Sequence, residues 1–302
     1  MKQHHPDTSS SASPWLLATR PKTLPAAIAP VVVGTALAYA DQRLALLPAL
    51  AAWAVALLLQ VGVNLANDYF DFQKGIDTAD RQGPVRVTQS GLIPPDRVKS
   101  AMITVFAVTL LPGIYLAVRG GWPVVVIGAA SIIAALAYSG GPYPLASHAL
   151  GDFFVFVFFG LVAVCGTYYV QALRLTTVVP VMGAMVGLMI TAILVVNNLR
   201  DIETDQRAGK RTLAVVLGAR GTQLEYSLLL GSAYLMPVII WLRNPAVGFI
   251  LLPLLSLPWA VPLNRLIWQN PAGAILNRAL AGTARLALLF SVLLSVGLIL
   301  SP

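Results

Sequence analysis

The chain has 302 residues, of which 57% are hydrophobic and 11% charged, with a mean hydropathy of +0.77. A soluble domain carries about 25% charged residues, so this composition excludes one and describes a polytopic membrane protein built mostly as one helical bundle. The net charge of +8 does not read as a nucleic-acid surface, because the basic residues are scattered between apolar runs.

Residues 1–13 are polar, with Ser and His, and read as a disordered tail; residues 14–302 read as a single transmembrane domain. No short basic-then-apolar segment precedes a small-residue cleavage site, so no cleavable signal is expected. Residues 15–30 read as a helix on the membrane surface, with Trp15 and Arg20 as interfacial anchors. Apolar runs at 24–40, 45–66, 99–118, 122–139, 152–173, 177–197, 223–242, 246–263 and 281–300 give nine candidate spans. With the N-terminus in the cytoplasm, only Arg43, Arg119, Arg174 and Arg243 fall on the far side, and every other Lys and Arg is cytoplasmic. That skew follows the positive-inside rule and supports nine spans. Cys165 lies alone in an apolar run and offers neither a disulfide nor a metal cluster.

The run 45–66 ends in an acidic stretch. Asp68, Asp71, Asp77 and Asp80 follow it, and Lys74, Arg81 and Arg86 come close behind. If the helix continues, Asn64, Asp68 and Asp71 share a face, as do Asn67 and Asp71. The run 177–197 ends the same way, in Asp201, Glu203 and Asp205 with Arg200, Arg207, Lys210 and Arg211. Asn197, Asp201 and Asp205 stand at i, i+4 and i+8, on one side of a helix. Either stretch alone could be a solvated loop. Together they hold seven of the 12 acids, each group at the end of a hydrophobic helix and each followed by Lys and Arg, which coincidence explains poorly.

Between them, residues 138–152 form a loop rich in Gly and Pro. Tyr143, His148 and Asp152 could touch a substrate there, or serve as an interfacial tyrosine and a helix-capping acid. The run Phe153 to Phe159 reads as facing lipid or a neighbouring helix, with a channel lining as the alternative. Beyond Arg220 the chain has no acid except Glu225 and reads as scaffold.

Clustered carboxylates and amides suit Mg²⁺, which is usually held by one or two carboxylates plus substrate phosphate oxygens. Two such clusters across a cavity would hold two or more ions against one diphosphate, with Lys and Arg on the same oxyanion. A hydrocarbon attached to that diphosphate would lie among the apolar helices. This design suits ionisation of an allylic prenyl diphosphate.

At this point the chain resembles the UbiA-type intramembrane prenyltransferases over nearly its whole length. The family's first acidic motif is represented by Asn64 to Asp77 and its second by Asn197 to Asp205. Finer motifs are similar to the branch that uses 1,4-dihydroxy-2-naphthoate in menaquinone synthesis. They are Arg20-Pro-Lys-Thr-Leu-Pro25, Lys74-Gly-Ile-Asp77, Arg81-Gln-Gly-Pro84, Thr88-Gln-Ser-Gly-Leu-Ile93, Gly140-Gly-Pro-Tyr-Pro144 and Gly209-Lys-Arg-Thr-Leu-Ala-Val215. One departure is the gap between Asp71 and Asp77, wider than in the superfamily at large, with Gly75 expected to break the helix.

The resemblance implies an all-α membrane protein, a bundle of nine transmembrane helices around a cytosol-facing central cavity. It implies that Asn64, Asn67, Asp68, Asp71, Asp77, Asp201 and Asp205 bind Mg²⁺, with Asn197 in support, and that Asp68, Asp71, Asp201 and Asp205 carry catalysis. Lys74, Arg81, Arg200 and Lys210 would meet the diphosphate, Arg86 and Gln89 the aromatic acceptor, and Tyr143 and Arg211 would also bind substrate. The implied reaction joins a polyprenyl group from prenyl diphosphate to 1,4-dihydroxy-2-naphthoate with loss of PPi and CO₂, at a bacterial plasma membrane. Rivals are another acceptor, such as 4-hydroxybenzoate or homogentisate, a phytyl donor and, outside the class, a cation-coupled transporter. Transport sites usually lie near the bilayer midplane, whereas both acidic groups adjoin basic loops.

Overall fold

In lipid a backbone must satisfy its own hydrogen bonds, so apolar runs of this length become helices. The computed structural model describes residues 13–76, 83, 85–269 and 273–301, and no strand occurs among them. Residues 1–12, Asp77, Asp80 and Arg81 lie outside the described residues.

In chain order the helices are α1 (Pro14–Thr19), α2 (Leu24–Ala40), α3 (Leu46–Gln73), α4 (Pro95–Gly120), α5 (Trp122–Ser139), α6 (Gly151–Val155), α7 (Ala163–Ala172), α8 (Val178–Arg207), α9 (Leu213–Arg243), α10 (Leu257–Trp268) and α11 (Gly273–Leu300). A wider π-helical stretch, Phe156–Val162, joins α6 to α7, and a 3₁₀ stretch, Pro245–Ser256, leads into α10. Among the described residues, eight continuous helical stretches are long and apolar enough to cross a membrane, and α2 is a ninth, shorter apolar helix. All nine apolar runs therefore become helix.

Several helices overshoot, α3 and α8 among them. A span needs about 20 residues, but α3 has 28 and α8 has 30. In both, the excess is the acidic end, so Asn64, Asn67, Asp68 and Asp71 lie on helix, as do Asn197, Asp201 and Asp205. The end of α3 is set by Gly75, whose φ of 66° lies in the left-handed region. There Ile76 N–H donates to Asp71 O and Gly75 N–H to Phe72 O, which caps the last turn. The expected helix break at glycine is what the structure shows.

Each acidic end stands on its own apolar core. Under α3, Leu65, Val98, Met102 and Phe106 are buried together with Val87 and Ile93 of the loop that returns after the acids. Under α8, a larger core gathers Tyr168, Met185, Met189, Tyr226, Phe290 and Leu294. Helix α8 is the central element of that core, packed on α9, α11, α7 and the π-helical stretch. Gly160 allows a close approach: a Cβ there would fall 2.5 Å from the Cα of Gly187, so only small residues fit this crossing. Bundle polar groups pair across helices, Tyr226 with Thr283 at 2.9 Å and Tyr234 with Ser256 at 2.6 Å.

The aromatic run behaves as the lipid-or-neighbour reading expects: Phe153 is exposed, Phe154 stacks on Phe158, and Phe156 packs on Gly187. At the end opposite the acids, Tyr168 donates to Asp41, which also pairs with Arg174 at 3.5 Å.

Candidate active site

Along α3 the side chains divide their labour. Asn64, 3% exposed, donates from Nδ2 to Thr19 O at 2.9 Å and to Thr23 Oγ1 at 3.0 Å, and its Oδ1 accepts from Gln60 at 3.3 Å. It thereby ties the N-terminal segment to α3. Asn67 accepts from Ser139 Oγ at 2.7 Å, which ties α3 to the end of α5. One turn on, Asp68 accepts from the backbone amides of Val87 at 3.1 Å and Thr88 at 3.0 Å, with Arg20 Nη2 4.0 Å away. Asp71 accepts from Arg86 Nη2 at 2.8 Å, and both partners are buried. The loop 86–91 is thus drawn over the end of α3 by two carboxylates. Gln89 is half-buried in that turn.

The backbone of Lys74 closes α3, but its side chain caps α5. Its Nζ donates to the carbonyls of Ser139 at 2.6 Å and Gly141 at 3.3 Å, where a helix C-terminus favours a cation. Burial pushes its ammonium below the ordinary lysine pKa, against the opposing field of Asp71.

The end of α8 is neutralised from within. Arg200 grips the adjacent Asp201 with two bonds, at 2.8 and 2.6 Å, and reaches Asn197 Oδ1 at 2.9 Å. Its third nitrogen donates to Asn277 of α11 at 2.8 Å. Asp205 lies 3.8 Å from Lys210, whose backbone N–H also closes on Asp205 O. Arg211 is exposed, and its backbone bridges the 138–152 loop: Ala149 N–H donates to Arg211 O and Arg211 N–H to Ser147 O. Tyr143, more than half exposed, stacks on His148 at 3.5 Å between ring centres.

The two ends converge on the end of α5. Asn67 and Lys74 of the α3 end bond to Ser139, and the segment that follows α8 is bridged at Arg211 to the loop that follows α5. No spacing in the sequence announces this meeting. Nor does any announce Arg20 or Asn277. Arg20, expected as an interfacial anchor, instead turns toward Asp68 from a left-handed backbone at φ 50°. The C-terminal third, expected to be scaffold alone, supplies Asn277 to the α8 end.

The donor set fits a hard cation. Asp68, Asp71, Asp201 and Asp205 are at most 7% exposed, and buried carboxylates need positive partners. No group of three or more His, Cys, Asp or Glu side chains gathers into a metal cage among the described residues. Paired acids, each engaged with its own Arg, Lys or amide, are instead the arrangement for an ion held by one or two carboxylates and completed by phosphate oxygens.

An all-helical, multi-pass membrane bundle with two converging acidic helix ends defines the class. The pattern of the UbiA prenyltransferase family matches residues 27–289, and the chain belongs to that family. It is 43% identical to a 1,4-dihydroxy-2-naphthoate octaprenyltransferase of Mycobacterium tuberculosis, over 81% of this chain and 84% of that one. It is 37% identical to the protein of the same name in Escherichia coli, over 97% of each chain. Its fold is similar to that of a UbiA homolog from Archaeoglobus fulgidus bound to GPP and Mg²⁺, with a TM-score of 0.66 and 14% identity over 95% of this chain and 99% of that one.

Proposed function

We propose that the chain transfers a polyprenyl group from prenyl diphosphate to 1,4-dihydroxy-2-naphthoate, releasing PPi and CO₂ and forming demethylmenaquinol. The observation that carries this reading is the convergence of two buried acidic helix ends, each furnished with basic partners, at one end of an apolar bundle. The acceptor is supported by the names of the two bacterial relatives, and the allylic diphosphate and metal by the ligands of the Archaeoglobus protein.

Asp68, Asp71, Asp201 and Asp205 would hold Mg²⁺, two or more ions in all, with Asn64, Asn67, Asp77 and Asn197 as further oxygen donors. Bound there, Mg²⁺ neutralises charge on a departing diphosphate. Arg200 and Lys210 already carry their charge at the carboxylates, so each can exchange a carboxylate oxygen for a phosphate oxygen, and Arg86, paired with Asp71, would meet the carboxylate or hydroxyl groups of the acceptor. Lys74 and Arg81 would meet the diphosphate, Gln89 the acceptor, and Tyr143 and Arg211 would also contact substrate. The apolar helices take the prenyl chain and exclude water from the allylic cation. The ring carbon bearing the carboxylate attacks, the bond to diphosphate breaks, and loss of CO₂ restores the ring. No protein nucleophile is required. On this reading residues 14–302 form one catalytic domain in a bacterial plasma membrane, with the N-terminus and the acidic ends in the cytoplasm.

The test is PPi release by purified protein given a prenyl diphosphate, Mg²⁺ and 1,4-dihydroxy-2-naphthoate. Asp71→Ala and Asp201→Ala should each lower turnover by about 10²-fold or more, and EDTA should abolish it. Turnover only with another aromatic acceptor would overturn the substrate. No turnover with any acceptor in lipid-reconstituted protein would overturn the reaction.

A further inference from the structure

The proposed reaction leaves one need unassigned. As the new C–C bond forms, the hydroxyl beside the attacked ring carbon must give up its proton. Asp152 is placed to take it. It lies on the first turn of α6, just past the loop that is bridged to Arg211, and is 6% exposed. Its Oδ2 is buried without a hydrogen-bond partner. The expected helix-capping role does not account for it, since Leu150 is the N-cap residue of α6 and no side chain caps that helix. A bare buried carboxylate oxygen is costly, and the four acids of the α3 and α8 ends avoid that cost through cations or amides.

Its neighbours fix its place. Helix α6 packs on α8 beside Tyr138 of α5, and the next residue, Ser139, is bonded by Asn67 and Lys74 of the α3 end. Gly151 lets Tyr138 lie there, since a Cβ at that position would fall 3.2 Å from the tyrosine hydroxyl. Asp152 therefore approaches the region of the acidic ends from a third side and belongs to neither end.

Resting on the naphthoate reading, we infer that Asp152 is the base that accepts the proton of the acceptor hydroxyl ortho to the attacked carbon. The O–H bond breaks and its proton passes to Oδ2. The ring carbon bonds to the allylic carbon, and the diphosphate leaves with its electron pair. The hydroxyl carbon becomes a ketone β to the carboxylate, so the C–CO₂ bond breaks readily and returns its electrons to the ring as a naphtholate. Asp152 then gives the proton back. No oxidant or reductant is consumed.

The experiment compares wild type, Asp152→Asn and Asp152→Glu in the full chain, with Mg²⁺ and a prenyl diphosphate. The acceptors are 1,4-dihydroxy-2-naphthoate and a ring-fluorinated analogue with a more acidic hydroxyl. Asp152→Asn should lose about 10²-fold in kcat/KM for the ordinary acceptor, the scale of general-base catalysis. It should regain about tenfold with the fluorinated acceptor, and Asp152→Glu should recover part of the rate. The KM for prenyl diphosphate should hold steady. A merely structural role would cut both acceptors equally, and that result overturns the inference, as would an Asp152→Asn variant as active as wild type. If Asp152→Asn does not fold, the same two-acceptor comparison on Asp152→Glu decides, equal losses again counting against the base. A wild type inactive on both naphthoates removes the substrate reading and the role together, a result distinct from failure of the role alone.

Discussion

The two acidic helix ends present similar residues and solve the same electrostatic problem differently. At the end of α8 the countercharge is local: Arg200 is adjacent to Asp201 in sequence and Lys210 follows Asp205 closely. At the end of α3 it comes from a distance, because the loop 86–91 must fold back before Arg86 meets Asp71 and the amides of Val87 and Thr88 meet Asp68. The difference teaches that the α8 end is preorganised by its helix, whereas the α3 end depends on a loop that its own carboxylates hold closed.

The largest effect that sharpens this contrast should come from the buried arginines. Arg86→Ala and Arg200→Ala each strand a buried carboxylate, at a cost of about 3–5 kcal/mol in thermal or denaturant unfolding in detergent. Only Arg86→Ala should also open the loop, seen as faster hydrogen exchange at Val87 and Thr88. Equal loss of protection at those two amides in both variants would break the contrast. A middle-sized effect belongs to Asn277→Ala, which removes a hydrogen bond to a charged group and should cost about 1.5–3 kcal/mol. Exchange in the loop 86–91 should not change, and a change there would mean that the two ends are one mechanical unit. The smallest belongs to Asn64→Ala. Loss of its bonds to Thr19 and Thr23 should cost about 0.5–1.5 kcal/mol and speed tryptic cleavage after Lys22. Cleavage at the wild-type rate would show that Asn64 does not hold the N-terminal segment.

Helical periodicity made much of this legible. A run of apolar residues can only be helix in lipid, and acids at i, i+4 and i+8 must then share a face. So the nine apolar segments and both acidic ends could be read from periodicity, while the break at Gly75 followed from glycine and the family from the resemblance of its motifs. Periodicity says which face a residue occupies, but it does not say what that face meets. That Arg20 turns to Asp68, that Asn277 crosses from α11 to Arg200, and that Gly151 brings Asp152 beside Tyr138 depends on which helices pack together. Those pairings were decided by the packing of α8 at the centre of its core, through close approaches such as Gly160 on Gly187. Such contacts join residues far apart in sequence and leave no spacing to read.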